Sequence, residues 1–381
     1  MKKILAMSVI LTMSVGLAAC GSSSDSGSEE PAETTTEAAE DLEEVDEQIE
    51  EGEEANEGEE ATTAAADGEY VIGICQSMEH PALDAATEGF EDAVTEALGD
   101  AVTFDEQNAQ GDSATCATIT NSFVSSGVDL ILANATASLQ AAAASTDSIP
   151  ILGTSVTDYG AALDIEFDGV VGGNISGTSD LAPLEEQAQM LNELFPDAQN
   201  VGLLFCSAEA NSQYQVDNVQ TYLEDMGYTC TQYSFADSND ISSVTTVASS
   251  ESDVIYIPTD NTAASNTELI NNICEPDGTP IIAGEEGICS GCGVATLSIS
   301  YYDLGYTTGQ MAVQILTEGA DISEMAVEYA PEVTKEYNQA ICDALGITIP
   351  DGYTAIETEE ETEEETEEEN EEVIEEEEGQ E

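Results

Sequence analysis

The sequence predicts an α/β protein with two doubly wound parallel-sheet lobes joined by a hinge and flanked by disordered acidic segments. Three observations lead to this prediction. Short apolar runs alternate with amphipathic stretches from residue 69 onwards. The alternation starts again near residue 183, which indicates a second unit. The patterned segment, residues 67–356, has about 290 residues, a length that suits one large or two medium domains.

The first series begins with a short β-rich apolar run that ends at Gln76. After Pro81, small and apolar residues such as Ala86, Phe90 and Val94 recur at helical spacing. Continued along the chain, these two patterns predict strands at 69–76, 101–105, 128–132 and 149–153, and helices at 81–97, 113–125 and 137–144.

The second series opens with an amphipathic helix and repeats the same alternation. Its strands are again short and apolar, and its helices again carry apolar residues on one face. The predicted helices cover 183–194, 212–226, 241–248, 262–273 and 304–316, and the predicted strands cover 200–205, 228–235, 253–258, 280–283 and 293–298.

This order of elements also predicts where a ligand would bind. Strands separated by single helices pair in parallel through right-handed crossovers. Continuous apolar strands are typical of sheets that are covered on both faces. Ligands of open α/β sheets bind beyond the carboxyl ends of the strands. With two such lobes, we expect the ligand site in the cleft between them.

The first 20 residues have the pattern of an export signal. Lys2 and Lys3 precede an apolar segment at 4–18, which is too short to span a bilayer of about 30 Å. Small residues then lead to Cys20, and the run at 17–20 resembles the lipobox of bacterial lipoproteins. The resemblance implies removal of residues 1–19, lipidation of Cys20, and anchoring to the outer face of the cell membrane.

The charge of the chain is extreme, with 81 acidic residues, three basic residues and a formal net charge of −78. Removal of residues 1–19 leaves Lys335 as the single basic residue. Nucleic-acid binding through phosphates requires several lysines or arginines, so the composition excludes that class of partner. Anionic lipid head groups would also repel the chain.

The acidic residues are concentrated in two segments that contain few large apolar side chains. These segments, 20–66 and 357–381, cannot bury enough apolar surface to offset their ordering entropy, so we predict that both are disordered. The first would act as a linker from the lipid anchor. The second is either a segment that binds cations or the cell wall, or a solvated tail.

Eight cysteines remain besides Cys20, and only Cys289 and Cys292 are close in sequence. Such a pair could be a redox couple, half of a zinc site, a short disulfide or a structural feature. The single histidine, His80, is remote in sequence. We therefore expect no metal site and no cofactor.

The sequence contains no arrangement typical of a known enzyme class. A nucleophile elbow, a phosphate-binding loop and a zinc-protease motif are all missing from the 381 residues. Pairs of acidic residues are too abundant here to indicate a glycosidase. We therefore predict that the protein binds a ligand and does not catalyse a reaction.

Polar side chains follow the strands at the edge where the cleft is expected. Hydroxyl, amide and carboxylate groups recur there, directly before the predicted helices. The ten candidate ligand-binding residues are Gln76, Glu79, Asn134, Thr136, Ser138, Thr157, Asp158, Thr178, Asp260 and Glu285.

These residue types favour a small zwitterion such as an amino acid. Hydroxyl groups and free N–H groups at helix starts can hold an anion without arginine or lysine, and carboxylates can hold an ammonium group. The alternative for each position is an N-cap that serves only its own helix. The carboxylate candidates are Asn134, Thr136, Ser138, Thr157 and Thr178, and the ammonium candidates are Asp158, Asp260 and Glu285.

Six segments in order resemble the tryptophan/tyrosine-type substrate-binding proteins of ABC importers. They are EHPALD (79–84), NAQGD (108–112), GTSD (177–180), PTDN (258–261), GEEG (284–287) and YYDLG (301–305). The resemblance covers nearly all of residues 69–350. It implies a type I periplasmic-binding fold, a small-molecule ligand that is an aromatic amino acid in the characterised case, and a membrane permease as partner.

The family fold implies three chain crossings between the lobes. We place them near Gly177, Ser300 and Asp321, which assigns 69–177 plus 300–321 to the first lobe and 178–299 plus 322–354 to the second. Tyr159 stands where the family usually has proline, and it would form either an aromatic wall of the pocket or a loop cover. Two other functions remain open: a ligand sensor that feeds a signalling partner, and a surface adhesin or cation buffer.

Overall fold

The computed structural model describes residues 70–330 and 333–356, which lie in one compact unit. The predicted signal peptide, the lipidation site at Cys20, the acidic linker and the acidic tail lie outside the described residues. They therefore stay predictions.

The described chain alternates strands and helices from its first residue. Residues 70–179 form β1 (Tyr70–Gln76), α1 (Pro81–Leu98), β2 (Val102–Asn108), α2 (Ser113–Ser126), β3 (Leu130–Asn134), α3 (Thr136–Ser145), β4 (Ile151–Thr154), α4 (Tyr159–Leu163) and β5 (Ile175–Ser179). Residues 184–298 form α5 (Leu184–Leu194), β6 (Asn200–Cys206), α6 (Ala210–Met226), β7 (Thr229–Phe235), α7 (Ile241–Glu251), β8 (Val254–Ile257), α8 (Asn261–Ala264), α9 (Thr267–Asp277), β9 (Ile281–Ala283), α10 (Glu286–Cys292) and β10 (Ala295–Ser298). The remaining elements are α11 (Tyr301–Val313), β11 (Glu328–Tyr329), β12 (Thr334–Tyr337), α12 (Gln339–Leu345) and β13 (Thr354–Ala355).

The strands form two sheets, one in each lobe. The first sheet has the order β11-β5-β4-β3-β1-β2, and all of its strand pairs are parallel. The second has the order β13-β12-β10-β9-β8-β6-β7 and is parallel except between β10 and β12. The predicted fold class, two doubly wound parallel-sheet lobes, is confirmed.

Helices cover both faces of each sheet, as the continuous apolar strands predict. In β3, Leu130 and Leu132 pack into one apolar cluster, while Ile131 and Ala133 pack into another. Successive side chains of a strand point to opposite faces, so a strand buried on both faces needs apolar residues throughout. This burial fixes the strand ends, which carry the polar residues of the cleft.

The predicted crossing near Asp321 is wrong, and the one near Gly177 is two residues early. Gly177 lies inside β5, so the chain leaves the first sheet only after Ser179. Residues 322–330, which we assigned to the second lobe, contain β11, and β11 pairs with β5 in the first sheet. β11 escapes sequence analysis because it has only two residues, both of them exposed.

The sequence also predicted several elements incompletely. The helix expected at 262–273 divides into α8 and α9, and the helix expected at 304–316 begins three residues earlier, at Tyr301. Sequence analysis missed β5 because its residues are mostly polar, although all but Ile175 are buried. It also missed the short helices α4, α10 and α12.

Close packing of α1 against α11 ties the third segment of the chain to the first lobe. A Cβ atom at Gly305 would overlap the backbone of Ala86, and one at Gly89 would overlap the backbone of Tyr302. The two helices can therefore approach this closely only with glycine at these positions. This contact also fixes the position of Tyr301, the first residue of α11, beside the cleft.

Candidate ligand-binding cleft

A cavity of about 550 Å³ lies between the lobes at the carboxyl ends of the strands. Thr136 and Gln140 of α3, together with the loop that follows β1, line it from the first lobe. Glu209, before α6, and Asn261, in α8, line it from the second lobe. This is where two facing α/β sheets are expected to hold a small molecule.

The two lobes touch each other across this cleft. The ring nitrogen Nε2 of His80 lies 3.1 Å from Oδ1 of Asn261, and the hydroxyl of Ser265 donates to the carbonyl of Glu79 at 3.2 Å. Helix α4 of the first lobe also contacts α6 of the second. These contacts hold the two lobes together beside the cavity.

Buried polar atoms without a hydrogen-bond partner are concentrated at the cleft edge of the first sheet. Within residues 70–330 and 333–356, nine buried side-chain atoms lack a partner, and six of them belong to this edge. An unpaired buried polar atom is costly and calls for an explanation. The six atoms are His80 Nδ1, Asn134 Oδ1, Thr136 Oγ1, Ser155 Oγ, Thr157 Oγ1 and Asp180 Oδ1.

Three of these atoms are hydrogen-bond acceptors. The amide of Asn261 donates from Nδ2 to Glu209 at 2.7 Å, so its Oδ1 is the acceptor for Nε2–H of His80. Burial lowers the pKa of His80, which keeps the ring neutral and leaves Nδ1 as an acceptor. Asn134 and Asp180 each contribute an oxygen. The hydroxyls of Thr136, Ser155 and Thr157 can donate or accept.

The backbone is strained at the same edge. Ala135, between β3 and α3, has φ 84° and ψ 162°, and Ser155, directly after β4, has φ 54°. Positive φ is uncommon for residues other than glycine and has an energetic cost, which is often found at functional sites. In both cases the strained residue lies at the carboxyl end of a strand that faces the cleft.

Helix α3 begins at the cleft without a side-chain cap. Its N-cap position is Ala135, which has no side-chain acceptor, whereas α2, α4, α8 and α10 are each capped by an acidic side chain. The first N–H groups of a helix attract anions when they are not already paired. The start of α3 therefore has free donors next to the unpaired hydroxyl of Thr136.

The three acids that we predicted for an ammonium group all serve as N-caps. Asp158 accepts from the backbone N–H of Ala161 at 2.7 Å. Asp260 accepts from Ala263 at 2.8 Å and, through its other oxygen, from Cys206 at 2.6 Å. Glu285 accepts from Gly287 at 2.7 Å and from Ile288 at 2.5 Å. Each of these side chains thus makes the contacts of an N-cap, which was the alternative to binding an ammonium group.

Burial raises the pKa of two of these caps. It raises the pKa of Glu285 to about 7, although two backbone N–H groups oppose the shift. It also raises the pKa of Asp260, and the nearby carboxylate of Glu209 adds to that effect. Glu209 itself accepts from the backbone and side chains of Asn261 and Thr262 at 2.6 to 3.0 Å. Glu209 is one of the polar residues at the strand ends, but it is not among the ten candidates chosen from the sequence.

The remaining predicted residues fall into two groups. Glu79 and Thr136 line the cavity, and Thr157 is buried with its hydroxyl unpaired among the described residues. The others bond within the first lobe, Gln76 to Asp84, Asn134 to Leu83, Ser138 to Cys116 and Thr178 to Thr308. Only Asn134 in this second group keeps an unpaired atom.

Sequence analysis missed Asp180, a buried acid between the lobes. Its Oδ2 accepts from the hydroxyl of Tyr301 at 3.0 Å, while Oδ1 has no partner among the described residues. Burial raises the pKa of Asp180 to about 6, and the neighbouring hydroxyls of Thr157 and Tyr301 lower it. Asp180 ends the GTSD segment, from which we had selected Thr178 alone.

Tyr159 and the cysteines belong to the core. Tyr159 is fully buried, and its hydroxyl donates to the carbonyls of Gly153 and Thr178, so it is neither a pocket wall nor a loop cover. Cys289 and Cys292 are buried thiols in the core of the second lobe. In the part of the chain that the structure describes, no group of three or more metal-ligating side chains is placed to hold a metal ion.

The described segments, residues 70–330 and 333–356, contain no helix that is both long enough and apolar enough to cross a bilayer.

The chain is similar to substrate-binding proteins of ABC transporters. The family described as "ABC transporter substrate binding protein" matches residues 71–360. A tyrosine-binding protein of Clostridioides difficile is 35% identical over 277 residues, which are 72% of this chain and 80% of that protein.

Two solved structures are similar over the same region. One is an ABC domain of Streptococcus pneumoniae in complex with L-Trp, with 32% identity and a TM-score of 0.72. The other is a ligand-free, open substrate-binding protein with adhesive properties from Clostridium difficile, with 35% identity and a TM-score of 0.60. Each alignment covers 76% of this chain and 100% of the other. The predicted type I periplasmic-binding architecture is confirmed, and the TM-score is higher for the L-Trp complex.

Proposed function

Since this chain belongs to the ABC transporter substrate-binding protein family, we propose that it binds an aromatic amino acid in the cleft between its lobes and delivers it to a membrane permease. The observation that carries this proposal is the similarity to two amino-acid binders. One relative is described as tyrosine-binding, and another was solved with L-Trp. The cleft geometry supports the same class of ligand.

The carboxylate of the ligand would be held without a basic side chain. Lys335 is the only lysine or arginine in the described segments, and it forms an ion pair with Glu193 at 3.0 Å on the surface of the second lobe. The free N–H groups at the start of α3 and the hydroxyl of Thr136 lie at the cleft instead. Together they offer an anion several donors and the positive end of a ten-residue helix.

Closure of the lobes would couple binding to delivery. The contacts from His80 to Asn261 and from Ser265 to Glu79 join the lobes, and they would break when the cleft opens. A ligand that contacts both lobes shifts the equilibrium toward the closed form by its differential affinity. A permease that recognises the closed form would then receive only loaded protein.

Anchoring through Cys20 would hold the binder near the permease on the outer face of the cell membrane. The 46 residues between Cys20 and residue 67 would serve as the linker that the sequence predicts. Cys20→Ser should move the protein from the membrane fraction to the medium. Retention of the variant on the membrane would contradict the lipid anchor.

Thermal unfolding with a panel of amino acids tests the function. Micromolar affinity corresponds to about −8 kcal/mol, and ligand at 100 times Kd stabilises the native state by about 2.7 kcal/mol. For a domain of this size, the Tm should rise by about 5 °C with L-tyrosine or L-tryptophan. L-Glutamate is the control, because its extra carboxylate would enter an acidic cleft. No shift with any aromatic amino acid would contradict the proposal.

A further inference from the structure

Asp180 is a buried carboxylate with one oxygen that accepts a hydrogen bond and one oxygen that has no partner among the described residues. It is 3% exposed and follows β5, at the point where the chain leaves the first lobe. Tyr301 holds Oδ2 at 3.0 Å, while Oδ1 has no hydrogen-bond partner in residues 70–330 and 333–356. A buried carboxylate in this state is strongly unfavourable unless a donor or a cation reaches it.

The buried or capping acids near the cleft other than Asp180 already accept hydrogen bonds, and Glu79, which also lines the cavity, is exposed. Both oxygens of Asp260 and both oxygens of Glu285 accept from N–H groups, and Glu209 accepts four hydrogen bonds from the start of α8. Asp158 caps α4. Asp180 is therefore the acid with both the burial and the free acceptor that recognition of an ammonium group requires.

The distance between the strand that precedes Asp180 and the strand that precedes α3 is similar to the length of an amino acid with its two hydrogen bonds. β4 lies between β3 and β5 in the sheet, so the ends of β3 and β5 are about 10 Å apart. An amino-acid carboxylate and ammonium lie roughly 3 Å apart, and a hydrogen bond of about 2.8 Å on each side brings the span to roughly 9 Å. Ser155 and Thr157, which follow β4, lie between the two ends and present unpaired hydroxyls.

The second lobe adds a further negative charge at this point. Burial is the main cause of the raised pKa of Glu285, the cap of α10, and the charge of Asp180 adds to that shift, so the two acids lie near each other. The two carboxylates belong to opposite lobes, so their repulsion opposes closure when no cation lies between them. Tyr301 of α11 and the buried Tyr159 of α4 are the other titratable groups beside Asp180.

Building on the proposed function, we propose that Asp180, held by Tyr301, receives the ammonium group of the ligand and makes closure of the lobes dependent on it. Oδ1 of Asp180 and the hydroxyl of Thr157 are the direct contacts, and Tyr301 acts as a positioning residue. The bound ammonium offsets the repulsion between Asp180 and Glu285. Ligands without a primary amine would leave Oδ1 of Asp180 without a donor and the cleft open.

Isothermal titration of the mature protein with L-tyrosine and with 3-(4-hydroxyphenyl)propanoate, which lacks the amine, tests this assignment. Wild type should bind L-tyrosine at least about 30-fold more tightly than the deaminated compound. Asp180→Asn should lose most of that difference. Its ligand-free Tm should be unchanged or higher, because the amide removes a buried charge while Tyr301 can still donate to its oxygen.

Asp92→Asn is the matched control, since Asp92 accepts from Tyr302 at 2.8 Å in the same kind of pair on the exposed surface. It should bind both compounds as wild type does. Tyr301→Phe should weaken L-tyrosine binding more than it weakens binding of the deaminated compound. Equal affinity of wild type and Asp180→Asn for L-tyrosine would overturn the role of Asp180 while leaving the amino-acid function intact. Failure of wild type to bind L-tyrosine or L-tryptophan would instead overturn the proposed function.

Discussion

Threonine and acidic side chains at the strand ends are of two kinds. In one kind all polar atoms form hydrogen bonds within the protein, and in the other at least one polar atom does not. Thr178 bonds to Thr308, and Asp260 caps α8, so these side chains stabilise the lobes themselves. Thr136, which lines the cavity, and the buried residues Thr157 and Asp180 keep unpaired atoms. We therefore expect ligand recognition to depend on the second kind.

Replacement of Thr136 by valine tests this division. The hydroxyl has no partner among the described residues, so its removal should leave the ligand-free Tm unchanged or slightly raised. Affinity for the amino acid should fall about tenfold or more, because a hydrogen bond to a charged carboxylate is lost. Titration calorimetry and thermal unfolding measure the two effects.

Thr245→Val is the matched control, because Thr245 of α7 has an equally buried and unpaired hydroxyl away from the cavity. Its affinity for the ligand should equal that of wild type. An unchanged affinity in Thr136→Val, or a similar loss in both variants, would contradict the role of Thr136.

The sequence could predict where the site lies but could not predict which residues face the ligand. Polar residues after apolar strands indicated the cleft edge, and Thr136 and Glu79 do line the cavity. In the sequence, Asp260 and Glu285 cannot be told from acids that bind a ligand. Only the positions of nearby backbone N–H groups in the structure identify them as caps. Asp180 differs from them through a contact with Tyr301, which is 121 positions distant in the sequence.

Secondary-structure elements that depend on distant pairing were the ones that sequence reasoning missed. The long apolar strands and amphipathic helices carry their own periodicity, and the structure contains them within a few residues of the predicted bounds. β5 is mostly polar and β11 has only two residues, and both form because they pair with neighbouring strands of the first sheet. The lobe boundaries at Gly177 and Asp321 were misplaced for that reason.

Replacement of Gly305 by alanine tests the helix pair α1–α11. The added methyl would overlap the backbone of Ala86, so the helices must separate, and the free energy of unfolding should fall by about 1–3 kcal/mol. Tyr301, on the same helix, should shift with it, which would also weaken ligand binding. Thr307→Ala, at a more open position of α11, is the control and should change stability by less than about 0.5 kcal/mol. Wild-type stability in Gly305→Ala would contradict the packing described.

The whole molecule has far more acidic groups than it can pair with cations. Several of them are buried, and burial raises the pKa of Asp180 to about 6 and that of Glu285 and Glu336 to about 7. An acid whose pKa is higher in the folded state than in the unfolded chain favours folding when it is protonated. Its contribution is complete below about pH 4 and is lost as the pH rises to about 7.

The ligand-free protein should therefore be more stable at pH 5 than at pH 8. Lower net charge at pH 5 acts in the same direction, because the carboxylates repel one another less. Thermal unfolding at constant ionic strength measures the effect. Asp180→Asn should show a smaller difference between the two pH values than wild type does. A Tm that rises from pH 5 to pH 8 would contradict the assignment of raised pKa values to the buried acids.

A crystal structure of the mature protein with L-tyrosine would show which residues bind the amino acid. We expect one ligand between the lobes, with its carboxylate at the N–H groups of the first turn of α3 and its ammonium within about 3 Å of Oδ1 of Asp180. The lobes should keep the contact between His80 and Asn261. Binding outside the cleft, or an ammonium group held by Asp158, Asp260 or Glu285 and not by Asp180, would contradict this expectation.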